Sequence, residues 1–174
     1  MRREAFLAVG GFDAGRYPRP QIEDIELGYR LREKGRTRLD PEMQATHLKR
    51  WTLASVVRTD VCARALPWTA LLRERGGLPN DLNLRTSQRA AALLAPFALL
   101  SLVALPAAGV AGEWPAALGA AAVLAASLWL QRRFVRDLSA LRGPGFAARA
   151  WLFHQLHLVY SALAFAYGWL RGRA

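Results

Sequence analysis

The sequence predicts an α+β segment, mostly helical with a few short strands, followed by a helical membrane region. Three observations predict it. Charge thins abruptly at Ala90: residues 1–89 carry 17 Lys/Arg and 11 Asp/Glu, whereas residues 90–174 carry only 7 and 2. Ala90 to Gly112 then runs for 23 residues without a charge, roughly 35 Å of helix and enough for a hydrocarbon core with some tilt. Upstream, Ile25 to Glu33 has helical spacing, and Leu39-Asp40-Pro41 reads as a strand end and turn.

Taken in order, a short helical pattern begins near Arg3 and ends at Gly10-Gly11, where two glycines permit the positive φ of a helix C-terminus or tight turn. Phe12-Asp13 and a loop with Pro18 and Pro20 follow. Glu23 and Asp24 open the next helix, where carboxylates are stabilised by the helix dipole and act as caps. Glu26 is expected to face solvent or to pair with Arg30 at i, i+4. In residues 52–84, Leu53, Val56, Val57 and Val61 recur at helical spacing. Pro67-Trp68 interrupts, and Leu71-Leu72 resumes before Gly76-Gly77. This reads either as amphipathic helices at a membrane surface, with Trp68 at headgroup depth, or as ordinary globular helix.

Three spans are expected beyond that point. The first is 90–112, with Pro96 and Pro106 inside it. The second is 114–130, with Trp114 and Trp129 as interfacial anchors, and the two form a hairpin. A basic linker, 131–149, leads to a third candidate, 151–170, which carries His154, Gln155 and His157. It reads as a crossing helix or as a re-entrant or interfacial one. Basic residues flank the hairpin on one side, at Arg85, Arg89 and the linker, so the positive-inside rule places residues 1–89 in the cytoplasm of a multi-pass inner-membrane protein. The expected organisation is therefore 1–51, 52–89 and 90–170.

The net charge of +11 does not indicate nucleic acid, because the basic residues are interspersed with acidic ones and flank apolar spans, where anionic lipid attracts them. Arginine outnumbers lysine 22 to 2, a bias of coding rather than of function. Cys62 is the single cysteine, which excludes an internal disulfide and a CxxC metal knuckle. The charged start, with its short apolar patch Ala5 to Val9, does not read as a signal peptide.

Three segments carry the chemistry: Gly10-Gly11-Phe12-Asp13, then Glu23-Asp24-Ile25-Glu26-Leu27-Gly28-Tyr29-Arg30-Leu31, then His47-Leu48-Lys49-Arg50-Trp51. In this order and spacing they resemble the acceptor-side half of a family-2 glycosyltransferase with the GT-A fold, over about residues 1–89. The resemblance implies an inverting transfer from a nucleotide-diphosphate sugar donor to a lipid-linked or glycan acceptor at the membrane. It implies Asp24 as general base with Glu23 as its supporting neighbour, a carboxylate being able to take the proton of an attacking hydroxyl. Gly11 and Asp13 are carried over as substrate-binding positions. Arg50 would stabilise the leaving diphosphate and Trp51 would line the acceptor path. The family's Gln-x-x-Arg-Trp segment has His47 in place of glutamine here, a position for a metal ligand, a phosphate contact or a plain surface histidine.

The resemblance also implies Mg²⁺ or Mn²⁺, held by an Asp-x-Asp pair that this sequence lacks. The expectation that follows is a donor-binding half encoded upstream, without which the chain is inactive. The alternative reading is a non-catalytic, small polytopic membrane protein whose basic segment binds anionic lipid or a partner, with Glu23 and Asp24 as helix caps. A transporter component would rest on His154 and His157 alone.

Overall fold

The computed structural model describes residues 1–38, 40, 42–46, 48, 50–80 and 84–172. They fold into two units, one formed by residues 1–76 with the chain end from Tyr167, the other by residues 77–166.

In the first unit, α1 (Arg3–Ala8) ends in a Schellman pattern: the Gly11 N–H donates to the Phe6 carbonyl at 2.9 Å and the Gly10 N–H to Leu7 at 3.0 Å. Both glycines sit at positive φ, 78° and 67°. Helix α2 (Glu23–Lys34) carries acids in its first turn and Arg32 and Lys34 in its last, each complementing the dipole. Helix α3 (Leu53–Arg58) starts with a reciprocal Thr52–Ser55 capping box, then runs through a π-helical stretch (Thr59–Ala65) into α4 (Leu66–Glu74). The core of the unit is Tyr17, Ile22 and Leu71, with Ile25, Tyr29 and Trp68 packed against it. Trp68 donates its indole N–H to the Tyr29 hydroxyl at 3.4 Å, and α4 thus lies on α2. Leu53 and Val57 of α3 stay exposed.

The second unit holds α5 (Thr86–Ala111), α6 (Trp114–Leu130), α7 (Arg132–Arg142) and most of α8 (Pro144–Arg171). Pro96 and Pro106 lie inside α5 without ending it. Left-handed Gly112 ends it in a second Schellman pattern, the Glu113 N–H donating to Ala108 at 2.9 Å. Small side chains bring the helices close: Ala91 and Ala95 of α5 cluster with Leu158 of α8.

Two expectations are corrected. The α+β class fails, because no strand occurs among the described residues. The stretch where short strands were expected, around 36–51, is irregular where described, and Leu39 and Pro41 lie outside the described residues. A lone extended segment leaves its backbone N–H and C=O groups without a ladder partner, so propensity at one strand end cannot make a sheet.

The membrane region of a hairpin plus a third span also fails. Among the described residues, only α5 is by itself long and apolar enough to cross a membrane. The 17 residues of α6 reach about 25 Å, short of the roughly 30 Å hydrocarbon core. It passes only together with α7, from which it bends by 72°. Helix α8 is long enough, but Arg149, His154, Gln155 and His157 leave it too polar to qualify. The described residues therefore hold one helix fit to span, or two if the bent pair counts as one. The basic linker is itself helical, forming α7 and the start of α8.

Candidate functional site

The most constrained polar assembly in the first unit centres on Arg30, one turn after Glu26 on α2. Its Nε and Nη2 donate to the two Glu26 carboxylate oxygens at 2.8 and 2.6 Å. Nη2 also donates to the Gly11 carbonyl at 2.7 Å, and Nη1 to the Val9 carbonyl. One guanidinium thus ties the Gly10-Gly11 turn to the helix that begins with Glu23 and Asp24. Glu26 is buried, 8% exposed, rather than solvent-facing. Its hydrogen bonds raise the Arg30 pKa above the usual guanidinium value, with burial opposing. Pairing at i, i+4 is visible in the sequence. The two carbonyl contacts span 21 and 19 residues, and no local pattern announces them.

Within the turn, Gly11 is crowded and Gly10 is open. A Cβ on Gly11 would lie 3.0 Å from Phe6 Cζ, and Phe6 meets Phe12 edge-on with ring centroids 5.6 Å apart. Asp13 is exposed and its Oδ1 accepts the Arg16 N–H at 2.9 Å, closing the loop that leads to Tyr17. Arg16 reaches Glu74 on α4 at 2.6 Å. Tyr17 is buried, and among the described residues its hydroxyl meets no hydrogen-bond partner. Burial pushes its phenol pKa up, opposed by the Arg16 charge.

The two carboxylates proposed for chemistry sit at the start of α2. Glu23 accepts the Gln21 N–H at 2.6 Å and is half-buried. Asp24 is exposed, and its Oδ1 accepts the adjacent Ile25 N–H at 2.9 Å. Arg50 and Trp51 are exposed and precede α3. Among the described residues no hydrogen bond or ion pair joins Arg50 to Glu23 or Asp24. His47 lies outside the described residues. The structure brings Gly11 and the acidic helix together through Arg30.

Among the described residues no three His, Cys, Asp or Glu side chains gather as a metal site would need, and His47 lies outside them. No chemical step is routed through a metal. In the second unit, the spacing of His154 and His157 does stack their rings, with centroids 5.7 Å apart, and His157 Nδ1 lies 2.9 Å from the Tyr160 hydroxyl. Gln155 points elsewhere: it is fully buried and hydrogen-bonded to Ser127 and Gln131, a cluster that sequence reading did not find. Compared with protein-family models, curated proteins and solved structures, the chain returns no match.

Proposed function

We propose that this chain is the acceptor-side part of a membrane-bound, inverting family-2 glycosyltransferase. The observation that carries the reading is the Arg30 clamp. It holds the Gly10-Gly11 turn against the helix whose first turn exposes Asp24. Asp24 takes the proton from an acceptor hydroxyl as that oxygen attacks the anomeric carbon of the donor. The bond to the nucleoside diphosphate breaks with inversion, and Arg50 meets the departing phosphate charge. Trp51 lines the acceptor path. The acceptor is lipid-linked or a glycan, in keeping with an adjoining helix apolar enough to span a bilayer. We place residues 1–89 on the cytoplasmic face of an inner membrane, following the basic residues that flank α5 and α6.

The test is sugar transfer from nucleoside-diphosphate sugars to extracted lipid, in membranes expressing the complete reading frame. Asp24→Asn should abolish transfer and leave donor binding within about twofold, since a base acts in the transition state. Retained turnover would refute the assignment. A second reading is favoured by one set of contacts. Asp13, Glu23 and Asp24 each accept a backbone N–H within three residues, a local structural use, although the N-cap of α2 is Ile22 and no side chain caps that helix. A non-catalytic membrane protein with a basic segment for lipid or a partner needs nothing more of them. Titration calorimetry of the full-length product with nucleoside-diphosphate sugars separates the two, as only the transferase binds the donor.

A further inference from the structure

The bend between α6 and α7 forms a groove that neither reading uses. It has a volume of about 640 Å³ and is lined by Leu128, Arg132, Val135, Arg136, Ser139 and Ala140. The bend is built, not accidental. Helix α6 stops at Gln131, whose side chain is buried and exchanges hydrogen bonds with Gln155 of α8. Gln155 Nε2 donates to Gln131 Oε1 at 2.9 Å, and Ser127 joins the cluster at 3.2 Å from Gln155. A buried amide network of this kind holds one geometry, and here it holds the 72° turn.

The lining is two-sided. Arg132 and Arg136 are one helical turn apart on α7, so their guanidinium groups share a face. Arg132 is braced by Trp129, stacking 4.4 Å from the ring centroid and donating to the Trp129 carbonyl at 2.9 Å. Arg136 gives Nε and Nη2 to Asp137 at 3.0 and 2.9 Å. Helix α7 carries four arginines, Arg132, Arg133, Arg136 and Arg142, against Asp137 alone, a net charge of +3 (4 − 1). Leu128 and Val135 supply the apolar wall. On the opposite side of α7, Phe134 and Leu141 are left exposed.

We propose that this elbow binds the headgroup of an anionic phospholipid, its phosphate on Arg132 and Arg136 and its first methylenes against Leu128 and Val135. Charge complementarity selects this occupant. The groove is cationic and half apolar, and it lies at the end of a helix that passes for a span only when joined to α7. The proposal does not depend on the transferase reading.

Native mass spectrometry of the full chain in neutral detergent, titrated with phosphatidylglycerol or phosphatidylcholine, tests it. Each arginine near an anionic surface contributes about fivefold, so Arg132→Gln with Arg136→Gln should weaken phosphatidylglycerol binding by about 30-fold and leave phosphatidylcholine unchanged. Removing the same charge from exposed coil, by Arg36→Gln with Arg38→Gln, should change it by less than about threefold. Ser139→Glu, which places a carboxylate in the groove and keeps both arginines, should weaken it by about tenfold or more. That variant decides the matter if the double substitution loses helicity. An equal loss in the Arg36/Arg38 control means diffuse attraction and overturns the site. So do equal binding of the two lipids, unchanged binding in both groove variants, or full displacement by millimolar inorganic phosphate, which would mark a soluble-anion site.

Discussion

Arg30→Met is the substitution that should do most damage to the first unit. Methionine keeps length and apolar contact but removes the charge and every donor. Glu26, 10% exposed in its side chain, is then left as a buried carboxylate without its partner, and the Val9 and Gly11 carbonyls lose theirs. Breaking a buried pair by removing one member costs about 3–5 kcal/mol. The Arg30 side chain is 24% exposed, so water reaches the site and the lower end applies. The carbonyls, near the surface, re-bond to water. A loss of about 3 kcal/mol is the expectation, a large share of the 5–15 kcal/mol typical of a whole domain.

Hydrogen exchange on the full chain in detergent reads it locally. The Gly11, Tyr17 and Gly35 amides are bonded to Phe6, Asp13 and Leu31. They should exchange about 100-fold faster, each 1.4 kcal/mol being a factor of ten. Amides of α5 should not change. Glu26→Met with Arg30→Met should recover about 2 kcal/mol of the single loss, because no bare charge remains. Exchange within twofold of the parent, or a double variant as damaged as the sum of the singles, would refute the clamp.

Two further outcomes follow from the same unit. Gly11→Ala should destabilise by about 1 kcal/mol more than Gly10→Ala in the same exchange measurement. Both glycines have positive φ, but only at Gly11 would the added carbon meet a ring, that of Phe6 at 3.0 Å. Equal losses would mean that the ring gives way without cost. Tyr17→Phe should be neutral or stabilising by up to about 1 kcal/mol, since the hydroxyl is buried and unbonded. The parent should also lose stability above about pH 10: burial raises the folded phenol's pKa, so the unfolded chain releases its proton first. Phenylalanine at this position should flatten that alkaline slope in a thermal-shift series; an unchanged slope would assign it to other groups.

Local signals in the sequence translated well into local structure. Gly10-Gly11 and Gly112 end helices because only glycine adopts their left-handed φ without cost. Glu23 and Asp24 open α2, and the uncharged run from Ala90 became one long helix. What failed depended on partners distant in the chain. A strand needs a second strand, and none occurs among the described residues. The apolar runs of α6 and α8 match a membrane span in outline. Whether each qualifies turned on a few ångströms of length and on four polar side chains.

The candidate site divides along the same line. That Glu26 and Arg30 pair is written in their spacing. That the same guanidinium captures the carbonyls of Val9 and Gly11 is a property of the folded unit, yet it gives Gly11 its meaning. The resemblance assigns Gly11 to substrate, whereas its observed partners are Arg30 on α2 and Phe6 on α1. If transfer chemistry takes place here, Gly11 and Arg30 serve it by holding Asp24 in place. Their substitution should then lower the rate only as far as it loosens that helix, whereas Asp24→Asn should remove the chemistry from an intact fold.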